Sequence, residues 1–359
     1  MRLCITGCAG FVGYWVALRC LDAGFEVHGI DSLKPGYDVS VTKWRLEELL
    51  QRDGFRFHQL DILDDSQLDR FAEAVASECT LGHGRFLDGV IHLAALSNVH
   101  QSFKDPLSTY NTNVLGTLAM LKLCADRQVD RFVFASSASV YGGRPLQRED
   151  PVKNTNCAAS RETDPVDITL SPYAASKKAA EDLCRLYHHL CGIHSVVLRY
   201  FAPYGPAGRI DMSVFRFVRW MAENEPILVY GNGNQLRDFV FVDDIAQGTM
   251  NALKVDGFEI VNLGGGSPAS INQVLDMLEA CLGVRATRVP VPAPKADVTT
   301  SWADISKAQA VLDWSPAVPL DVGLRRTADW YMTHREWLRK IPLNGDSKAR
   351  GDRSRSPQG

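Results

Sequence analysis

No run of apolar residues in this 359-residue chain approaches the roughly 20 needed to cross a bilayer, which excludes a transmembrane helix. Charge of one sign is equally scarce. The 39 Lys and Arg against 42 Asp and Glu leave a net charge of −3, which gives no reason to expect nucleic acid or an anionic membrane as a partner. Paired cysteine spacing is missing as well: the nine cysteines are odd in number, scattered, and never form CxxC. They read as reduced thiols, and the expected location is cytoplasmic. The first residues already read as a strand of the fold, so a cleavable signal is not expected. Internal repeats are also lacking. What remains is a chain 45% hydrophobic and 23% charged, long enough to bury a substantial core and expected to form two lobes.

What is present begins at the N-terminus. Arg2-Leu3-Cys4-Ile5-Thr6 is a short apolar strand, followed at once by Gly7-Cys8-Ala9-Gly10-Phe11-Val12-Gly13. Phe11 to Ala23 has helical apolar spacing, and Phe25 to Ile30 is a second strand ending in Asp31. In such a βαβ unit the glycines permit a tight turn and close backbone approach, and a pyrophosphate can rest on the helix N-terminus. Asp31 would meet the adenosine ribose, accepting from a 2′-hydroxyl and repelling a 2′-phosphate, so NAD is favoured over NADP. Further strands are expected at Phe55–Gln59, Gly89–Leu93, Arg131–Ser136 and Ser195–Tyr200, alternating with helices near Asp65–Glu78, Asp105–Arg127 and Pro172–Cys191. That alternation predicts an α/β fold, a Rossmann-type doubly wound parallel sheet covered on both faces.

The second concentration is Ser-Pro-Tyr-Ala-Ala-Ser-Lys-Lys, which places Tyr173 and Lys177 four residues apart. On a helix they share one face, so the Lys ammonium is expected to favour phenolate and make Tyr173 a base. Strand Phe132–Ala135 delivers Ser136 and Ser137 to the carboxyl edge of the sheet, where ligands of doubly wound folds sit. Beyond Tyr200 the pattern loosens into Pro/Gly-rich loops separated by helices near Met212–Glu223 and Ile271–Leu282, the expected smaller C-terminal α/β substrate-binding lobe. The expected division is 1–201 with 237–262 for the NAD-binding domain and 202–236 with 263–340 for the substrate-binding lobe. Residues 344–359 are expected to form a disordered tail.

These motifs in order resemble the extended short-chain dehydrogenase/reductase family, and within it the nucleotide-sugar 4-epimerases, most closely those acting on UDP-glucuronate. The markers run over about Met1–Tyr331: the glycine loop, Asp61-Ile62, His92-Leu93-Ala94-Ala95, Asn113, Ser136 to Gly142, the YxxxK pair, and Arg237-Asp238-Phe239-Val240-Phe241-Val242-Asp243-Asp244. The resemblance implies Ser137, Tyr173 and Lys177 as catalytic residues and no metal. It implies NAD held by Gly7, Gly10, Phe11, Val12, Gly13, Asp31, Asp61, Ile62, Leu93, Ala94, Ala95, Asn113, Ser136, Tyr173, Lys177 and Tyr200. It implies a UDP-sugar met by Ser137, Ser139, Val99, His100, Arg209, Phe215, Tyr230, Arg237 and Asp297, with Arg237 and Arg209 on the diphosphate. A homodimer through helices 105–127 and 172–191 is implied too.

The stretch Tyr204–Phe215 resembles the glucuronate-specific branch, whereas Ala138, Ala202 and His100 depart from it at positions near a carboxylate. UDP-glucose/UDP-galactose is the competing substrate pair. A 4,6-dehydratase would carry an Asp-Glu pair after its catalytic hydroxyl, and a UDP-glucuronate decarboxylase would carry Glu in place of Ser139; this chain has Ala138-Ser139. An NAD(H)-binding regulatory protein is the non-enzyme alternative. Segment 148–171, longer than in simple relatives, is expected to form a lid or an interface.

Overall fold

A computed structural model of the chain describes residues 1–34, 39–79, 86–142, 159–293 and 298–343. The first part runs β1 (Arg2–Thr6), α1 (Phe11–Asp22), β2 (Glu26–Asp31), α2 (Val39–Leu50), β3 (Phe55–Gln59), α3 (Asp65–Cys79) and β4 (Gly89–His92). It continues with α4 (Val99–Lys104), α5 (Pro106–Tyr110), α6 (Gly116–Asp126), β5 (Arg131–Ser137), α7 (Pro172–Cys191) and β6 (His194–Tyr200). The second part holds β7 (Ala202–Tyr204), α8 (Ser213–Ala222), β8 (Ile227–Tyr230), β9 (Leu236–Arg237), β10 (Phe239–Phe241), α9 (Val242–Asn251) and β11 (Phe258–Leu263). The chain then forms β12 (Ala269–Ser270), α10 (Ile271–Leu282), β13 (Arg288–Val291), β14 (Thr300–Ser301), α11 (Ser306–Leu312), α12 (Leu320–Thr333) and α13 (Arg335–Leu338).

Seven strands form one sheet in the order β11-β6-β5-β4-β1-β2-β3, parallel at every pairing. This is the doubly wound Rossmann arrangement that the alternation predicts. Strand order reverses between β1 and β4, and the crevice at their carboxyl ends is where such sheets take ligands. Central strands read as continuous apolar runs because helices cover both faces: Leu3, Ile5, Val90, Ile91, Phe132 and Val133 are all buried. A separate apolar cluster gathers Phe215, Phe217 and Trp220 of α8, Val274 and Leu278 of α10, and Leu324 and Tyr331 of α12. Short strands β7 to β10 and β12 to β14 lie outside the large sheet, in three small ones.

Two helices carry local signals that explain their limits. Ser171 caps α7, its hydroxyl oxygen accepting from the Ala174 N–H at 3.1 Å, with Pro172 in the first turn and Gly192 in the left-handed region at the end. The expected helix over 105–127 is present and continuous, with one irregularity inside it. Asp105 caps α5, accepting from the Ser108 N–H at 3.0 Å, and residues 111–115 form a π turn before α6 resumes. The extra residue of the π turn turns Asn113 inward, and its side chain closes three hydrogen bonds to Leu96 and Ser176.

Candidate active site

At the carboxyl ends of β1, β2, β4 and β5 lies a cleft with a cavity volume of about 390 Å³. Gly7, Gly10, Phe11, Val12 and Gly13 form one wall, at the N-terminus of α1. Gly7 sits at φ 71°, and a Cβ there would lie 2.8 Å from the Ala94 nitrogen. A Cβ on Gly13 would overlap the carbonyl oxygen of Gly7. The turn therefore closes only with glycine at both places. No side chain caps the start of α1, which leaves first-turn N–H groups for an anion. Asp31 ends β2, its carboxylate accepting from the Ala9 N–H at 3.1 Å and the Leu33 N–H at 2.9 Å. Burial raises the Asp31 carboxyl above the usual range, with the Leu33 and Ala9 hydrogen bonds and the Arg45 charge opposing. Capless helix, glycine turn and terminal acid fit an adenine dinucleotide.

The cleft floor rests on a fixed hydrogen-bond chain. Thr117 Oγ1 donates to the Asn113 carbonyl at 2.6 Å and so accepts from His92 Nε2 at 3.1 Å. That makes His92 Nδ1 the acceptor for Thr6 Oγ1 at 2.7 Å, and the Thr6 oxygen accepts from the Leu93 and Ala94 N–H groups, each at 3.1 Å. Burial and the nearby Lys177 charge hold His92 down to about 3, so its imidazole stays neutral and the chain keeps one direction. Leu93, Ala94, Ala95, Ile62 and Ser136 line the cleft over it.

Ser137, Ser139, Tyr173 and Lys177 line the same cleft, and the Ser137 hydroxyl hydrogen-bonds Tyr173. Lys177 Nζ donates to the Ala135 carbonyl at 2.7 Å and lies 4.8 Å from the centre of the Phe134 ring. Burial pulls the Lys177 ammonium down to about 7. The Tyr173 phenol is raised by burial, and the groups that oppose the rise are Ser137 and Arg209. This corrects the expectation that Lys177 lowers it. In the protein alone the Lys177 side chain is spent on the β5 backbone, and burial taxes both charged forms.

On the far wall Arg209 is oriented by Asp211, to which Nε and Nη2 donate at 2.9 and 2.6 Å, while Nη1 donates to Ser97 at 2.5 Å. Asn98 Nδ2 donates to the same Asp211 carboxylate at 2.8 Å. Val99 and Ala202 also line the cleft, and Phe215 lines an adjoining apolar recess that shares Phe11, Arg209 and Met212 with it.

Other expected site residues lie elsewhere. Asp61 is not on the cavity wall; it pairs with Lys34, which is, at 2.5 Å. Asn113 acts from behind the wall because its amide is used by Leu96 and Ser176. Tyr200 lines the cleft but turns its hydroxyl to Thr249 at 2.7 Å. His100 is exposed on α4 and lines neither recess, because one residue after Val99 the helix turns its side chain to another face. Arg237 on β9 and the exposed Tyr230 at the end of β8 also lie off both walls. Asp297 and residues 148–158 of the 148–171 segment lie outside the described residues, as does the 344–359 tail. Reasoning from the sequence missed Arg45, fully buried, whose guanidinium donates to the carbonyls of Ala207 at 2.8 Å and of Ala9 and Gly208 at 3.1 Å. It also missed Glu181, although Tyr173, Lys177 and Glu181 repeat one four-residue spacing.

Nicotinamide-dependent oxidoreduction of a hydroxyl is the class of chemistry that this fold and this Ser–Tyr–Lys arrangement define. Residues 3–264 match the NAD dependent epimerase/dehydratase family, and the chain belongs to it. It is 42% identical over 340 residues, 94% of this chain and 98% of the relative, to a UDP-glucuronate 4-epimerase of Thermodesulfobacterium geofontis (strain OPF15). Among solved structures it is similar to the UDP-glucuronic acid 4-epimerase of Bacillus cereus in complex with UDP-glucuronic acid and NAD, with 32% identity, TM-score 0.81, and coverage of 93% of this chain and 100% of that one. The UDP-glucose 4-epimerase of Thermotoga maritima is similar at 27% identity and TM-score 0.78, covering 93% of this chain and 100% of that one.

Proposed function

We propose that the chain is an NAD-dependent UDP-sugar 4-epimerase whose substrate pair is UDP-glucuronate and UDP-galacturonate. The observation that carries this reading is the convergence of Ser137, Tyr173, Lys177 and the Arg209 guanidinium on one cleft that continues to the glycine turn. NAD would be held by the α1 N-terminus, the turn at Gly7–Gly13 and Asp31. When bound, it would supply reversible hydride chemistry at the sugar C4. Tyr173 takes the proton of the sugar 4-hydroxyl and gives it back, Ser137 orients that oxygen, and Lys177, reaching from α7 to the β5 backbone, anchors the reacting end. The sugar turns over as a 4-keto species between the two proton transfers.

A uronate oxidised at C4 is a β-keto acid prone to lose carbon dioxide, so its carboxylate must be held out of line with the carbonyl. Ser139 beside Ser137 and Arg209 on the far wall supply hydrogen-bond donors to the cleft, which supports the acidic substrate. Ala138-Ser139 in place of an acid supports epimerisation over dehydration or decarboxylation. UDP-glucose remains the rival substrate, because Ala202 on the cleft wall offers no hydroxyl to a carboxylate. NMR analysis of products from UDP-glucuronate and from UDP-glucose tests the assignment. UDP-galacturonate as the faster-formed product is expected; turnover of UDP-glucose at least as efficient would overturn it.

The proposed assembly is a homodimer. Phe103, Leu107, Tyr110 and Leu115 on α4 to the π turn, with Leu186 and Leu190 on α7, leave apolar side chains uncovered, in support of a helical interface. Seven free cysteines among the described residues support a reducing, cytoplasmic location. The proposed lobe division follows the boundaries given above; the apolar cluster of α8, α10 and α12 supports a separate second core.

A further inference from the structure

Behind the reacting wall lies a buried charge network that the mechanism above does not use. Glu181 sits on α7 four residues past Lys177 and eight past Tyr173, so the three share one helix face. One Glu181 carboxylate oxygen accepts from the Ser136 hydroxyl at 2.5 Å and from Arg199 Nε at 3.0 Å, and the other accepts from Arg199 Nη2 at 2.7 Å. Arg199, on β6, also stacks over the Tyr141 ring at 4.8 Å, and Glu181 and Arg199 are both buried. A buried ion pair of this kind adds little net stability over apolar residues of the same volume, so folding alone does not account for it.

We propose that Glu181 is a positioning residue for the proton transfer at Tyr173: it fixes Ser136, the neighbour of Ser137, at the end of β5 and stands one helical turn beyond Lys177 on the same face of α7. This rests on the 4-epimerase reading. The titratable and charged groups facing Lys177 and Glu181 are His92 from β4, Arg199 from β6, Tyr141 from the turn after β5, and Cys184 and Tyr173 on α7 itself. Burial lowers the Lys177 ammonium most strongly, and Cys184 and Glu181 oppose it. The Cys184 thiol is itself kept protonated by burial, so Glu181 is the anion that acts. His92 is neutral, and Arg199 is already engaged by the carboxylate.

The test is the pH profile of kcat for NAD-loaded wild type, Glu181→Gln and Glu181→Asp. The Gln variant is expected to move the alkaline limb to lower pH by about one unit, a tenfold loss on that limb, with KM for the UDP-sugar within about twofold. The Asp variant, which keeps the charge and shortens the reach, is expected to restore the limb. A Gln variant that is slower at every pH with an unmoved limb, or an Asp variant shifted as far as Gln, would overturn the proposal. If Glu181→Gln leaves Arg199 too costly to bury and fails to fold, the double variant Glu181→Gln/Arg199→Met is read by the same criterion. Wild-type turnover is the control: its absence refutes the 4-epimerase reading, whereas an unmoved limb in an active set refutes only the role of Glu181.

Discussion

Around the glycine turn the cleft is built from regular elements whose ends meet, so backbone groups do most of the positioning. Asp31 is pinned by two N–H groups, Gly7 by the Ile30 carbonyl at 2.7 Å, and Leu93 and Ala94 by the Thr6 hydroxyl. Across the cleft, Arg209 is placed by side chains: its near neighbour Asp211, the distant Ser97, and Asn98 acting through Asp211. The difference is one of tolerance. A backbone-built wall fails when a single Cβ is added, whereas a side-chain-built wall fails only when an orienting partner is lost.

The largest effect should come where the two walls meet. Tyr173→Phe removes the proposed proton acceptor and leaves the glycine turn intact, so turnover should fall about 10²–10⁴-fold while NAD stays bound. Retention of more than about a tenth of wild-type rate in a steady-state assay would remove Tyr173 from its role. Next is acid stability, which should be a property of the sheet side. His28 on β2 is lowered to about 4 by burial and by His58, and His92 on β4 to about 3. Both accept protons more readily unfolded, so they stabilise the fold above their unfolded value of 6.5, and that stability is lost as pH falls through the window below it. The loss is about 2 kcal/mol for each by pH 5. Asp238, raised to about 6 by burial, is more stable in the fold at low pH and offsets about 1 kcal/mol over the same interval. Denaturant unfolding at pH 7 and pH 5 that gave equal stabilities would contradict this account.

Gly13→Ala probes the backbone wall directly. Because the new Cβ meets the Gly7 carbonyl, the change should cost about 1–3 kcal/mol and reduce NAD retention about tenfold or more, read by the cofactor content of purified protein. Unchanged cofactor content would mean that the turn yields more than its geometry suggests. The smallest effect belongs to His100→Ala: an exposed residue off both cleft walls should alter kcat/KM by less than about twofold. A loss well beyond that would return His100 to the substrate site.

The parallel sheet, the glycine turn and the Ser–Tyr–Lys set were all legible, because each rests on residues close in sequence or on a simple period. Strands β3, β4, β5 and β6 fall within a residue of their expected bounds. What was not legible depends on distant contacts. The π turn inside helix 105–127 goes with Asn113 meeting Leu96 and Ser176, which no local propensity encodes. The Tyr173 expectation counted helical proximity but not burial, which outweighs it here. Glu181 was present in the spacing and went unread because its partners, Ser136 and Arg199, come from β5 and β6.

Arg45 sets a rule for remaking this enzyme. Its one guanidinium grips the oxygen of Ala9 in the glycine turn and the oxygens of Ala207 and Gly208 in the segment leading to Arg209. Because those grips are on main-chain carbonyls, they are indifferent to side-chain identity at 207 and 208. These grips therefore constrain the length and path of any transplanted 204–212 segment: a graft that displaced either carbonyl would loosen the glycine turn as well as the wall that carries Arg209.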